Sequence, residues 1–222
     1  MKITLNHPWP ATVKEAKPIQ DELRSRVIRT DRIETVKYVA GVDVGFRDNY
    51  AISVAAIAIL DFPNLEVVEK VTASKPTTFP YIPGYLSFRE VPVILDALEK
   101  LKIRPDLILC DGQGIAHPKR IGLASHLGVI IDLPTIGVAK SLLIGKHQEL
   151  APEKGSWQPL VDKQEIVGAI LRSRAGVKPI YVSIGHRISL PTAIKYTMAC
   201  ITKYRLPETT RVADRLSREA EK

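Results

Sequence analysis

The chain has 222 residues, of which 45% are hydrophobic and 25% charged, with a formal net charge of +8 and a sequence pI near 9.5. This composition excludes a disordered, a collagen-like and a membrane-spanning protein, because no apolar run approaches the roughly 18 residues that a spanning helix needs. A basic surface favours a polyanionic partner such as nucleic acid, although a basic enzyme of another kind fits the charge equally well. The N-terminal segment has no apolar signal region, so the sequence predicts a cytoplasmic protein.

The first part of the chain predicts one helix followed by three strands. Apolar residues recur at helical spacing over 12–29, where Thr12 is a suitable N-cap and Pro18 is an alternative start. The following β-branched sequence predicts strands at 37–46, 50–61 and 65–74. Because a turn sequence separates the first two strands, we expect the three to form an antiparallel meander.

The middle of the chain predicts alternating helices and strands. A loop over 75–84 contains three prolines, which cannot join a regular sheet ladder, and it precedes a helix that extends to about Lys102. Pro92 is expected either to open the main part of that helix or to kink it. The next elements are a strand at 106–111, a helix ending near Leu127 and a short strand at 135–138.

The C-terminal part predicts a hairpin over 158–184, with its turn at 162–163, and then two helices. Ser189 is the expected N-cap of the first helix, and Thr209 or Thr210 that of the second. Antiparallel strands early in the chain and alternating helices and strands later indicate an α/β fold around a mixed sheet.

Three acidic residues lie beside apolar sequence that should be buried. Asp43 interrupts the first predicted strand, Glu90 precedes the apolar part of a helix, and Asp111 ends a strand. Buried carboxylates are rare unless they are paired or hold a metal, and converging carboxylates suit Mg²⁺, or Mn²⁺ in its place. On a basic protein, such a site indicates metal-dependent hydrolysis of a phosphodiester bond. The alternative is that these acids only cap helices and pair on the surface.

The segment after Asp111 is rich in glycine. Gly112 and Gly114 allow another backbone to approach closely, and His117 can donate a hydrogen bond to a base or a phosphate, or titrate near neutral pH. A nucleotide-binding glycine loop is the alternative, but the spacing matches neither a P-loop nor a full dinucleotide-binding motif. Lys140 follows a short strand and can contact a phosphate as a point charge, although an exposed lysine is the commoner interpretation.

The proline-rich loop holds Tyr81 between Pro80 and Pro83. Such a stiff loop can present an aromatic ring as a wedge, which stacks on a base or fills the place of an extruded one. Taken alone, the pattern is more typical of a surface loop with a packed aromatic ring.

Several long motifs together resemble those of the endonuclease V family, in the same order and with similar intervening lengths. They are the segments 41–43, 79–90, 111–118 and 137–141. The resemblance extends over nearly the whole chain. It implies a ribonuclease H-like fold, in which helices flank a mixed central β-sheet, and a single catalytic domain over residues 1–222.

The resemblance also implies an activity. Members of this family are Mg²⁺-dependent DNA repair endonucleases that recognise deaminated bases, chiefly hypoxanthine in deoxyinosine. They hydrolyse the second phosphodiester bond on the 3′ side of the lesion, leave 3′-hydroxyl and 5′-phosphate ends, and do not excise the base. For this chain we therefore expect an enzyme that acts on single- or double-stranded damaged DNA, with inosine-containing RNA as the alternative substrate. A monomer is expected because the sequence shows no long coiled-coil or repeat signal.

Catalytic roles follow from the same resemblance, residue by residue. Asp43, Glu90 and Asp111 match the metal-binding carboxylates. Lys140 matches a lysine near the scissile phosphate. Asp214 matches a further active-site position, where a carboxylate could reach the metal directly or through water.

Substrate-binding roles are carried over in the same way. The loop of Pro80, Tyr81, Ile82 and Pro83 matches the family's strand-separating wedge, with Tyr81 at its tip. The family's lesion pocket corresponds to Gly84, Leu86, Gly112, Gly114, His117, Leu123 and Gly137.

Two other functions are compatible with these residues. Another ribonuclease H-like nuclease, acting on structured or RNA-containing substrates, would use the same carboxylates. A non-catalytic nucleic-acid-binding module with a degenerate site is a different class of protein, but such a module has no need of all these acids.

Overall fold

The computed structural model describes residues 4–220. Residues 1–3, within the segment expected to lack a signal peptide, and 221–222, at the end of the predicted domain, lie outside the described residues. The described chain forms one eight-stranded sheet with the order β3-β2-β1-β4-β5-β8-β7-β6. The strands are β1 Tyr38–Arg47, β2 Ile52–Asp61, β3 Val67–Pro76, β4 Leu107–Asp111, β5 Thr135–Ala139, β6 Trp157–Asp162, β7 Glu165–Leu171 and β8 Ile180–His186.

Strand direction divides the sheet into two regions. β1, β2 and β3 form the predicted antiparallel meander, whereas β4 and β5 run parallel to β1. β6 and β7 form the predicted hairpin, but β8 then pairs antiparallel with both β7 and β5. The prediction of a hairpin alone over 158–184 is therefore wrong, because the region holds three strands. Parallel β1, β4 and β5 present their carboxyl ends at one edge, where open α/β sheets usually bind ligands.

Helices cover both faces of the sheet. Within residues 4–220 they are α1 Val13–Ser25, α2 Leu86–Glu99, α3 Leu123–Ile131, α4 Leu190–Ala199 and α5 Glu208–Ala220. α2 and α3 share a buried cluster with Val42 and Cys110 on one face. α4 and α5 pack on the other face, where Leu109 and Val138 are buried. This arrangement confirms the predicted mixed sheet flanked by helices, the ribonuclease H-like architecture.

Two helix starts follow the predicted capping residues. The Thr12 hydroxyl accepts a hydrogen bond from the Glu15 amide, and the Glu15 carboxylate accepts one from the Thr12 amide. α1 therefore begins before Pro18, which lies inside the helix. Because Pro18 and Lys14 are exposed, the carbonyl that loses its partner there can be solvated. Ser189 caps α4 as predicted.

Two helix ends differ from the prediction. α2 ends at Glu99, slightly before Lys102. α3 continues to Ile131, beyond Leu127, because its whole length is buried, and it stops at Asp132 in a left-handed conformation. No helix formed by residues 4–220 has both the length and the apolar character needed to cross a bilayer.

The start of α5 is also corrected. The helix begins at Glu208, so Thr209 and Thr210 lie inside it, where both are buried, and neither is its N-cap. A Cβ atom added to Gly41 would lie 2.0 Å from the carbonyl oxygen of Thr209. The missing side chain at Gly41 therefore lets α5 lie directly on β1, and this close approach brings Asp214 to the edge where β1 and β4 end.

Candidate active site

Three carboxylates meet where the parallel pairing of β1 with β4 ends. The register of β1 and β4 pairs Val42 with Cys110, so Asp43 and Asp111 occupy neighbouring positions. Asp214 comes from α5, the helix that packs on the face of the sheet where Leu109 and Val138 are buried. One carboxylate oxygen from each of these three acids lies within 4.8 Å of the other two. The structure thus brings two predicted ligands together with the acid whose role the sequence left open.

The pKa of Asp43 is raised in this cluster. Burial, the largest cause, and the charges of Asp111 and Asp214 raise the pKa of Asp43 to about 6, although a hydrogen bond from Ser217 acts in the opposite direction. The Ser217 hydroxyl donates to Asp43 Oδ2 at 2.5 Å. Ser217, which no sequence pattern indicated, lies one turn after Asp214 on the buried side of α5. Like charges this close favour a bound cation.

Lys140 supplies one positive charge to the cluster. Its Nζ atom lies 2.6 Å from Asp111 Oδ2 and 3.4 Å from Asp214 Oδ1. Burial opposes the charge, but the hydrogen bond to Asp111 and the charges of the three acids outweigh it and raise the pKa of Lys140. Arg205, which the sequence analysis missed, donates from Nη2 to the carbonyl oxygens of Lys140 and Pro179, each at 2.7 Å. Arg205 therefore fixes the loop that carries Lys140.

Glu90 lies at the side of the cluster. It belongs to α2, on the sheet face opposite to α5, and is only 8% exposed. Burial, followed by the charges of Asp43 and Asp111, raises the pKa of Glu90 to about 8. Among residues 4–220, the close group of acids contains Asp214 rather than Glu90. Glu90 is thus near the centre without being among the three acids that converge.

The donor set fits a hard divalent cation. It consists of carboxylate oxygens, the ligands that Mg²⁺ and Mn²⁺ prefer. Burial and the charges of Asp111 and Asp214 raise the pKa of Asp43, and a bound cation would offset this repulsion between the carboxylates. The sequence-based expectation of Mg²⁺, or of Mn²⁺ in its place, is consistent with this chemistry.

A cavity of about 210 Å³ opens beside the carboxylates. Its wall includes both Glu90 and Asp111, so the cavity and the acidic centre are continuous. Eight predicted substrate-binding residues line it: Tyr81, Ile82, Pro83, Gly84, Leu86, Gly112, His117 and Leu123. The lining also contains residues that the sequence analysis did not single out: Ser87, Gln113, Gly122 and Leu143.

Three predicted substrate-binding residues lie outside the cavity wall. Pro80 is exposed beside it. A Cβ atom on Gly114 would lie 2.0 Å from the Ile184 carbonyl oxygen, and one on Gly137 would lie 2.3 Å from the Gly114 amide nitrogen. These two glycines therefore allow backbones to pack behind the cavity. Gly112 differs, because the nearest atom to an added Cβ would be 3.4 Å away.

His117 is held as a neutral ring. Burial and the charge of Arg120 lower the pKa of His117 to about 4, so the predicted titration near neutral pH is wrong. Nδ1 lies 3.2 Å from the Lys119 amide nitrogen, which donates to it. The neutral ring therefore carries its proton on Nε2, which faces Gly84 and hydrogen-bonds with its backbone. In the expected donor role of His117, a ligand would compete with Gly84 for this proton.

Tyr81 projects from the rim of the cavity. Its side chain is 70% exposed, whereas the neighbouring rings of Phe79 and Phe88 are buried and lie 5.8 Å apart. The packed aromatic residues of this loop region are thus Phe79 and Phe88, and Tyr81 is free to contact a ligand. Leu86 and Leu143 are also exposed at this rim, which gives it an apolar character.

The metal-free protein is expected to lose stability as the pH rises from about 6.5 to about 8. In this window the pKa of Glu90, raised to about 8, keeps the folded state protonated while the unfolded state is ionised. The free energy of unfolding should fall by at most about 1.4 kcal/mol per pH unit. His117 and Asp43 act mainly below this window, since their pKa values are about 4 and about 6.

Thermal denaturation in EDTA across this pH range tests the prediction, with Glu90→Gln as the matched variant. The variant should be insensitive to pH in the same window. An equal fall in both proteins would assign the effect to another group.

Comparisons with known proteins agree with this geometry. The family model described as Endonuclease V matches residues 21–215. An endonuclease V of Rippkaea orientalis is 69% identical over 217 residues, covering 98% of this chain and 95% of the relative. The crystal structure of endonuclease V from Streptomyces avermitilis is 47% identical, with a TM-score of 0.92 over 99% of this chain and 97% of that one.

A further crystal structure contains nucleic acid. It is endonuclease V of Ciona intestinalis in complex with a 23-mer DNA containing an inosine followed by a ribo-adenosine, 33% identical with a TM-score of 0.83. That alignment covers 94% of this chain and 96% of the Ciona chain. On these similarities over nearly its whole length, the chain belongs to the endonuclease V family.

Proposed function

We propose that this chain is a Mg²⁺-dependent DNA repair endonuclease, active as a monomer, that recognises hypoxanthine in single- or double-stranded DNA. It hydrolyses the second phosphodiester bond on the 3′ side of the lesion and leaves 3′-hydroxyl and 5′-phosphate ends. The observation that carries this proposal is the continuity between an acidic centre and a cavity of about 210 Å³, since Glu90 and Asp111 line both. The inosine-containing DNA bound by the Ciona relative supports the substrate class.

Asp43, Asp111 and Asp214 would hold the metal ion, with Glu90 beside them. When bound, the ion would supply Lewis-acid stabilisation of the negative charge that develops around phosphorus. Lys140 lies 2.6 Å from Asp111. Its ammonium group can therefore contact a phosphate oxygen of a substrate bound at the carboxylates. Ser217 orients Asp43, and Arg205 fixes the backbone of Lys140. The family membership favours this nuclease chemistry over a non-catalytic nucleic-acid-binding module.

The cavity wall suits recognition of a flipped base. Hypoxanthine presents an O6 acceptor and an N1–H donor, unlike adenine, so a complementary wall needs both a donor and an acceptor. His117 can donate from Nε2, and Gly112 contributes backbone to the cavity wall beside Leu123. Tyr81 would fill the place that the extruded base leaves in the helix. Because the bond to be cut is displaced from the lesion, the pocket and the carboxylates need not coincide.

The direct test is nicking of an end-labelled duplex with one deoxyinosine, in Mg²⁺ or in EDTA, beside an undamaged duplex. We expect one Mg²⁺-dependent nick at the second phosphodiester bond 3′ to the lesion. A matched RNA with one inosine is assayed in parallel. Cleavage of the RNA alone would move the assignment to an inosine-specific ribonuclease, and no cleavage of either would refute the proposal.

Tyr81→Ala is expected to weaken binding to an inosine-containing duplex without changing Mg²⁺ affinity. Stacking of an aromatic ring on a base contributes about 1–3 kcal/mol, so the dissociation constant should rise by roughly 5- to 150-fold. Fluorescence anisotropy in Ca²⁺ measures the DNA affinity. Trp157→Ala is the control, since Trp157 is 43% exposed on the edge strand β6. Unchanged affinity in the Tyr81 variant would show that this ring has no part in DNA binding.

A further inference from the structure

A second and larger cavity lies on the other side of the acidic centre. Its volume is about 540 Å³, and its wall includes Lys140 and Asp214. The smaller cavity instead includes Glu90 and Asp111. The carboxylates therefore lie between two cavities with different linings. We call the larger one the α5 groove; its remaining lining residues are Tyr204, Arg205, Leu206, Glu208, Arg211, Val212, Arg215 and Arg218.

The α5 groove is strongly basic. Besides Lys140 and Arg205, it contains three arginines on one side of α5, at the helical spacing i, i+4, i+7: Arg211, Arg215 and Arg218. Residues at such spacing are neighbours along a helix, about 5–6 Å apart at Cβ. They form a row along α5 that passes beside Asp214, which Arg218 contacts at 3.0 Å. A row of cations is suited to the successive phosphates of one nucleic-acid strand.

Two of these arginines, Arg215 and Arg218, are exposed to a ligand. Arg215 is 76% exposed at its side chain and lies 3.6 Å from Glu219. Arg218 is 70% exposed and lies 3.0 Å from Asp214. Exposed ion pairs contribute little to stability, so exchanging a carboxylate for a phosphate costs little.

Tyr204 provides an aromatic surface in the same groove. The Arg211 guanidinium lies 3.4 Å from its ring centroid, and Glu208 fixes that arginine through a 2.7 Å ion pair. The ring is nevertheless 40% exposed. Sites for single strands commonly combine a basic groove with aromatic rings on which bases stack.

We propose that the α5 groove binds the part of the cleaved strand on the 3′ side of the scissile bond. This inference rests on the proposed function. If the lesion base occupies the smaller cavity and the bond to be cut lies 3′ to it, the strand must pass over the carboxylates in the 5′-to-3′ direction. The nucleotides beyond the cut then leave through the groove on the other side. Arg215 and Arg218 consequently hold phosphates at the new 5′ end of this strand, and Tyr204 stacks on one of its bases.

The test is a series of single-stranded deoxyinosine oligonucleotides with a fixed 5′ arm. Their 3′ arms extend from about 2 to about 12 nucleotides beyond the cut, which spans the site sizes of single-strand binding surfaces. For the unmodified protein, KM should fall as the 3′ arm lengthens. Arg215→Gln and Tyr204→Ala should each weaken this dependence, and Arg215→Gln should lower the salt slope of binding by about 1.

A second series, with a fixed 3′ arm and a varied 5′ arm, supplies the contrast. The same variants should retain the dependence of the unmodified protein on the 5′ arm. Arg104→Gln is the matched control, because Arg104 is exposed and precedes β4, at the sheet edge opposite to Asp111. The inference is wrong if KM of the variants no longer depends on the length of the 5′ arm. It is also wrong if their KM still depends fully on the length of the 3′ arm. If the unmodified protein cuts none of the substrates, the proposed function itself has failed.

Discussion

Replacing Asp111 by Asn is expected to lower the rate of single-turnover nicking of an inosine-containing duplex by more than about 100-fold, the upper end of losses seen for residues that only support a metal ligand. Asn keeps the shape of the side chain but removes the charge that a divalent cation needs. Asp43→Asn should have the same effect, since the two carboxylates are neighbours across β1 and β4. Binding of the inosine duplex without metal should persist in both variants.

The stability of these variants distinguishes loss of a metal ligand from loss of the fold. In EDTA, Asp43→Asn should melt at a higher temperature than the unmodified protein at pH 8, because the ionised carboxylate is buried among like charges. The stabilisation that Mg²⁺ gives the unmodified protein should be reduced in the variant. Asp96→Asn is the control, since Asp96 pairs with Lys75 on the surface. Full nicking by either active-site variant would contradict the metal-site assignment.

The contributions of Asp214 and Glu90 can be separated by the same measurement. Asp214 belongs to the close group of carboxylates, whereas Glu90 approaches from the opposite sheet face. Asp214→Asn should therefore reduce the Mg²⁺-induced rise in melting temperature more than Glu90→Gln does. The reverse order would make Glu90 the third ligand, as the family resemblance implies, and would give Asp214 a role through water.

Lys140→Met is expected to lower the nicking rate by about 100-fold or more, the loss typical of removing one preorganised electrostatic group from an active site. The same substitution should not weaken the binding of Mg²⁺. The Lys140 ammonium neutralises Asp111 and Asp214 in the metal-free protein, so its removal leaves the carboxylates more negative. Mg²⁺ should bind the variant as tightly as the unmodified protein, or more tightly.

Isothermal titration with Mg²⁺ and single-turnover nicking together measure this pair of effects. Lys140→Arg should recover part of the activity because it restores the charge, although not the point-like geometry of an ammonium. Lys102→Met is the control, since Lys102 is exposed and precedes β4 at the opposite sheet edge. Loss of Mg²⁺ affinity in Lys140→Met would show that Lys140 organises the carboxylates rather than contacting the substrate.

Local sequence patterns predicted most of the strands and helices. Asp43 and Asp111 were placed correctly within β1 and at the end of β4 because strand sequence is read over a few residues. Thr12 and Ser189 were recognised as N-caps for the same reason. The prediction of Thr209 or Thr210 as the N-cap of α5 is wrong, since the position of this helix on β1 depends on Gly41, which is far away in the sequence. Residue type could not reveal that contact.

Sequence patterns showed which acids adjoin apolar segments, which loop is stiffened by prolines, and which family the motifs resemble. Which groups meet became clear from the three-dimensional packing. The packing of α5 on Gly41 brings Asp214 and Ser217 to Asp43, while α2 places Glu90 on the other side. The same packing gives the three predicted glycines different places. Gly112 lines the cavity, whereas Gly114 and Gly137 lie behind its wall. Such contacts depend on strand order and on how closely backbones approach, and neither is encoded in the periodicity of a short segment.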